Sequence, residues 1–310
     1  MKKKNKILKI FVILFLVVSL TGCTKILKDS KGKAVTNKIT GQSLTENILC
    51  QPTDKETIKI YEKNNINIEK LPECEELNIF AGNYDGVWTT IFVKPLAFLI
   101  VRLGVLFKNY GLAIILITLI IRLIMYPITK KTAMQSENMK KAKPELDFLE
   151  KKYKNKQDSD SMMMKSQEMM SIYKKYDINP MSGCLFSFIQ IPLFFAFYEA
   201  LNRLPAVFEG KFLGFKMGMS PMNGISNGNY LYIIIIVLVI GATYLSFKLN
   251  ATASMSKEQE GQMKMMTNMM LIFIGIASLR ISTGIAIYWI TNNTFTIIQN
   301  LIVKRRIVKW

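Results

Sequence analysis

The run Leu119-Ile120-Ile121-Arg122-Leu123-Ile124-Met125 sets one guanidinium among aliphatic side chains. An arginine near the centre of a lipid-crossing helix costs about 2.5–3.5 kcal/mol, so it must find water, a partner or the headgroups. Arg122 lies roughly 9 Å from the end of its apolar run at about 1.5 Å per residue, and could simply snorkel to the headgroups. Thr118 and Tyr126, four residues before and after it, instead put it on a polar helical stripe facing a hydrated interior. Similar stripes recur at Ser187, Gln190 and Tyr198, and at Tyr288, Asn292, Thr296 and Gln299. Such residues commonly serve as hydrogen-bonding glue between helices. Combined with Arg122, and with no carboxylate expected in the spans to neutralise it, they describe a positive groove that attracts acidic or polar chain. Met263, Met265, Met266, Met269 and Met270 form a polarizable surface suited to plain packing or to varied apolar segments.

Catalytic chemistry is poorly served. The chain has no histidine, which removes His-based triads and the commonest metal ligand. Gly224-Ile225-Ser226-Asn227-Gly228 has a nucleophile-elbow spelling but no preceding strand pattern and no His base, and is read as chance. A Ser/Lys hydrolase would need a Lys near a Ser within a span, and none is evident. No phosphate-binding loop appears, so no enzyme activity, cofactor or metal is expected.

These residues are carried by apolar segments too long and too uniform for a soluble core. They are expected to make an all-α membrane protein of five transmembrane helices. The spans are read at 108–129, 180–203, 230–249, 263–280 and 284–303. Residues 1–22 have a Lys-rich start and a short apolar stretch, the shape of a lipoprotein signal peptide, with Cys23 as the lipidated (palmitate-type) first mature residue; an uncleaved anchor is the alternative. Residues 23–85 are polar and aperiodic and are expected to be an extracytoplasmic tether with little core, in which Cys50 and Cys74 could pair. The stretch 86–107 is expected to lie flat in the outer interface as an amphipathic helix, because an odd number of crossings must separate Cys23 outside from the lysines after Ile128 inside; a full crossing is the alternative. Residues 130–179 read as a cytoplasmic helical hairpin, and 304–310 as a basic cytoplasmic tail. The net charge of +19 fits basic loops meeting anionic membrane lipids rather than DNA.

Three blocks carry a family resemblance: Tyr110-Gly111-Leu112-Ala113-Ile114 through Thr118, Arg122 and Tyr126-Pro127-Ile128-Thr129; Asn179-Pro180-Met181-Ser182-Gly183-Cys184-Leu185 through Gln190-Ile191-Pro192-Leu193-Phe194 and Phe197-Tyr198; and Gly284-Ile285-Ala286-Ile287-Tyr288-Trp289-Ile290-Thr291-Asn292-Asn293 to Gln299. In order and spacing they resemble the YidC/Oxa/Alb membrane insertases, in the lipoprotein-anchored five-span form. The resemblance covers roughly residues 86–306. It implies a bacterial plasma membrane protein with its lipid-anchored N-terminus outside and its C-terminus in the cytoplasm. It also implies that Arg122 charges a groove open to the cytoplasm and inner leaflet, that substrates slide along the second and fourth spans, and that the hairpin recruits them. Nascent membrane proteins, ribosome-nascent chain complexes and a Sec channel are the partners expected from it. Phe186 and Arg280-Ile281-Ser282-Thr283 depart from the family pattern. An anion or small-solute transporter built around Arg122 remains the alternative.

Overall fold

The computed structural model describes residues 24–80, 86–156, 158–179, 182–250 and 257–308. Cys23 and the signal-like segment before it lie outside them. The chain divides into two compact units, one formed by Met1–Thr118, Gln190–Ile236 and Ser278–Trp289, the other by Leu119–Ile189, Val237–Ala277 and Ile290–Trp310.

In the first unit, residues 24–78 do have a core, contrary to the expectation of a loose tether. Leu27, Leu44, Ile48 and Tyr61 are buried together, with Val35, Ile60, Ile66, Ile68 and Leu71 against them. Isolated bridges Ile26–Thr45, Lys28–Ala34 and Thr36–Ser43 build this piece, as does helix α1 (Lys55–Lys63), capped by Asp54 accepting from the Thr57 N–H. Single bridges leave no repeating period in the sequence, which is why the core is hard to read there. Cys50 and Cys74 are joined by a disulfide that closes this piece.

A short wide helical turn at Thr89–Val93 runs into α2 (Lys94–Leu106). Val93, Leu96, Ala97, Ile100, Val101 and Gly104 are buried at three- and four-residue spacing, while Ile91, Phe92, Leu99 and Arg102 are exposed. Thr89–Leu106 is nevertheless long and apolar enough to cross a membrane, as is Tyr232–Leu249. Helix α3 (Tyr110–Ile124) and α4 (Tyr126–Tyr153) pass the same test as a pair bent by 70°, so two described helices qualify, or three with the bent pair. The bend falls inside the stretch expected to form the first span at 108–129. Pro127 sits in the opening turn of α4, where its missing N–H costs nothing, so a new helix starts at Tyr126. Tyr126 therefore leaves the stripe of Thr118 and Arg122.

In the second unit, α4 packs on α5 (Ser159–Lys175) around Met139, Ala142, Leu146, Tyr173 and Ile178. Glu145, earlier in α4, pairs with Lys175 at the end of α5, whereas the later Glu150 and Lys152 pair with the earlier Lys165 and Glu168, so the two run antiparallel. Pro144 is accommodated inside α4 and does not end it. The remaining elements are α6 (Ser182–Arg203), α7 (Pro205–Phe208), the antiparallel ribbon β1 (Lys211–Phe212) and β2 (Phe215–Lys216), α8 (Pro221–Ser226), α9 (Tyr232–Asn250), α10 (Lys257–Ser278) and α11 (Thr283–Val308). The ribbon is a small exception to the all-α expectation, and Ser226 ends a helix rather than following a strand.

Candidate functional site

Helix α11 turns polar residues inward at one helical face. Asn292, Thr296, Gln299 and Asn300 are all buried, the first, second and last at four-residue steps. Part of the seam is satisfied within the helix. Thr296 donates to the Asn292 carbonyl, and Asn300 Nδ2 donates to the Thr296 carbonyl. Side-chain donors that bond one turn back leave the amide oxygens of Asn292 and Gln299 available to neighbouring helices.

Arg122 uses one of them. Its Nε donates to Asn292 Oδ1 at 2.6 Å, and the side chain is only 2% exposed. Two aspects of this differ from the expectation of a guanidinium lining open water. The side chain is buried, and it stands two residues before its helix ends at Ile124. A neutral amide fixes the direction of a guanidinium without cancelling its charge. Seven residues on, across the bend, the Thr129 hydroxyl donates to Gln299 Oε1 at 3.0 Å. Ser136, Thr243 and Ser246 add further buried hydroxyls to this unit.

The other expected site residues belong to the first unit and make a different environment. Tyr288 is buried and stacks on Phe197 with ring centroids 4.1 Å apart. Phe194 stands between two tyrosines, 6.1 Å from Tyr198 and 6.3 Å from Tyr288. Tyr198 is half-exposed. Thr118 is buried with its hydroxyl committed to the Ile114 carbonyl of its own helix, at 2.6 Å. Gln190 Oε1 is buried with no hydrogen-bond partner among the described residues, an acceptor ready for an incoming donor. The geometry thus joins Arg122 to Asn292, Gln299 to Thr129, and Tyr198 to Tyr288 through Phe194. Thr118 and Gln190 stay apart from these pairs. Ser187, though on α6, has no described side chain.

The expectation of no carboxylate in the spans is corrected by Glu199. It lies in α6, buried, accepting from Trp88 Nε1 at 3.0 Å and standing 4.0 Å from Arg203. Arg203 is fully buried and also donates through Nε to the Asn47 carbonyl at 2.6 Å and through Nη1 to Thr89. This polar knot joins α6 to residues 47 and 88–89. Its signal in the sequence was the i,i+4 acid–base spacing of Glu199 and Arg203.

Exposed methionines occur on two helices. Met265, Met266, Met269 and Met270 lie open on α10, and Met162, Met163, Met164 and Met170 on α5. Met263 has no described side chain. Among the described residues no cluster of acidic, Cys or His side chains could hold a metal ion.

Comparison with known proteins locates this architecture. The family model described as 60Kd inner membrane protein matches residues 102–309. A membrane protein insertase YidC of Oceanobacillus iheyensis is 35% identical over 241 residues, covering 76% of this chain and 91% of that one. The membrane protein insertase MisCA of Bacillus subtilis is 33% identical over 218 residues, covering 70% and 79% respectively. A solved structure of an active YidC insertase with its first transmembrane domain resolved aligns at 25% identity and a TM-score of 0.48, over 80% of this chain and 50% of that one.

Proposed function

This chain belongs to the 60Kd inner membrane protein family, and from that premise we propose that it is a membrane protein insertase in which Arg122 draws nascent chains into the bilayer. The observation that carries the reading is the Arg122–Asn292 bond: a buried guanidinium held in direction by a neutral amide. An acidic or polar tail from the cytoplasm would be attracted to that charge by up to about 4 kcal/mol at 4 Å and intermediate dielectric. Because Arg122 is enclosed, the tail reaches it by parting the surrounding helices and replacing Asn292 as its partner. The apolar span that follows would partition into lipid along the second and fourth spans, driven by hydrophobic transfer. The exposed methionines of α10 and the exposed Ile191 and Phe195 of α6 offer adaptable surfaces for that passage. No nucleotide, metal or enzymatic step enters this mechanism.

Five crossings are proposed, with the lipidated Cys23 outside and the basic end of α11 inside. Thr89–Leu106 is proposed to lie flat in the outer interface despite its length. Arg102 is exposed among apolar side chains, its guanidinium 5.1 Å from the Phe98 ring, and can reach headgroups from a flat helix at little cost. The core of residues 24–78 and the Cys50–Cys74 disulfide suit an oxidising exterior. The α4–α5 hairpin is proposed to meet ribosome-nascent chain complexes in the cytoplasm, with a Sec channel as a further partner.

A photocrosslinker at Ile191 or Met269 tests the path. With a stalled nascent membrane protein the expected result is crosslinks at both positions and none at Leu238 of α9. Equal crosslinking at all three positions would remove the path. Anion flux from liposomes, without any gain in protein insertion, would favour a transporter instead.

A further inference from the structure

The ribbon Lys211–Lys216 has a feature that its own folding does not call for. Its two-residue turn is Leu213-Gly214, with φ of +49° and +85°. Turns of this shape favour Asn-Gly or Asp-Gly, and a leucine with positive φ is strained. Leu213 is also 80% exposed. A strained, exposed leucine at the tip of a tight ribbon points to a contact outside the protein.

The ribbon is rigidly mounted where two helices begin. Phe212 packs on Gly111, at the start of α3, so closely that any side chain at 111 would clash with its ring. On the other side Phe215 meets the Tyr232 ring edge-on at 5.1 Å, and the Lys216 N–H donates to the Tyr232 hydroxyl at 3.0 Å. Tyr110–Ile124 and Tyr232–Asn250 thus hold the ribbon at the level of their own first residues, the outer membrane boundary in the five-span topology. Lys211 and Lys216 are direct cross-strand partners flanking the tip, and among the described residues neither forms an ion pair. An apolar tip between two registered lysines complements a lipid surface with phosphate headgroups above acyl chains.

We propose that the ribbon is an outer-leaflet anchor, with Leu213 entering the acyl boundary and Lys211 and Lys216 binding the phosphates of anionic phospholipid. The inference rests on the insertase reading only for the crossing of the membrane by α3 and α9. By fixing the ribbon in the leaflet, the protein holds the outer ends of both helices at a constant depth.

The test uses the full chain in vesicles of phosphatidylcholine and phosphatidylglycerol, with a genetically encoded environment-sensitive fluorophore at position 213 or, separately, at Val237 within α9. The expected result at 213 is blue-shifted emission, quenched more by lipid brominated near the headgroup than by lipid brominated near the chain end. Val237 should show the reverse order. Quenching at 213 should favour brominated phosphatidylglycerol over brominated phosphatidylcholine, and Lys211→Gln and Lys216→Gln should each reduce that preference about fivefold. Water-like, unquenched emission at 213 with Val237 quenched overturns the anchor alone. Absence of quenching at both overturns the anchor together with the crossing of α9. A preference unchanged in the lysine variants overturns the headgroup contact.

Discussion

Among the described residues two arginines are buried in helices, and the acceptors described for them differ. Arg203 stands 4.0 Å from the Glu199 carboxylate and is bonded to the Asn47 carbonyl and the Thr89 hydroxyl. Arg122 directs its Nε to the amide oxygen of Asn292. A carboxylate compensates the charge it binds, whereas an amide orients it. Arg203 is accordingly a fastener that ties α6 to residues 47–49 and 88–89, and Leu49 completes the tie by donating its N–H to the Arg203 carbonyl. Arg122 is an oriented charge in a seam of amides and hydroxyls. Burial alone therefore does not separate Arg203, a fastener, from Arg122, the residue proposed to meet substrate.

The contrast breaks most clearly at Arg203. Arg203→Ala leaves Glu199 buried without its cation and should destabilise the protein by about 3–5 kcal/mol, read as a lowered unfolding midpoint in detergent. If the midpoint holds, the knot is not a fastener. Asn292→Ala removes the acceptor from a buried guanidinium and should cost about 1–3 kcal/mol, while lowering insertion through loss of orientation. Insertion unchanged in a stable Asn292 variant would mean that orientation does not matter. Gln299→Leu and Thr129→Val break one neutral bond in the same seam, with an expected coupling of about 0.5–1.5 kcal/mol in a double-mutant cycle.

The smallest effect belongs to the exposed ion pairs of the α4–α5 hairpin, and it sharpens the contrast by giving the value of pairs in water. Hydrogen bonds from Lys175 and Tyr176 hold the Glu145 carboxyl below its ordinary range, and those from Lys152 and Tyr153 do the same for Glu168. Their folded-state pKa is depressed, so their contribution is present above the ordinary carboxylate range and lost as pH falls through the lowered values. Lys152 and Lys175 are raised by hydrogen bonds to the same carboxylates, so their part is present below the ordinary lysine range and lost as pH rises through the raised values. Spin labels on α4 and α5 should therefore report a modest separation at acidic and at strongly alkaline pH, with the closest approach between. A distance independent of pH would assign the hairpin wholly to its apolar contacts.

Much of the site was legible because helical spacing survives folding. Asn292, Thr296 and Gln299 share a face in the sequence, and that face is buried in the structure. Asn300 continues the same four-residue step and could have been added. The stripe Thr118-Arg122-Tyr126 was legible only in part, because a helix start at Tyr126-Pro127 ends the phase that spacing assumes. The core of residues 24–78 was not legible at all. Leu27, Leu44 and Tyr61 are far apart in sequence and are joined by single bridges that leave no period. Glu199 was overlooked because a lone acid near the end of an apolar run reads as a boundary, whereas Trp88 and Arg203 take it into the interior.

The central claim is tested most directly by comparing Arg122, Arg122→Lys and Arg122→Ala in proteoliposomes, with substrates carrying an acidic or an uncharged extracytoplasmic tail. For the acidic tail, Arg122→Ala should lower insertion about tenfold or more, equivalent to at least ~1.4 kcal/mol of lost attraction, with Arg122→Lys between it and the parent. The uncharged tail should be far less affected. Equal insertion of the acidic tail by all three proteins would contradict the account.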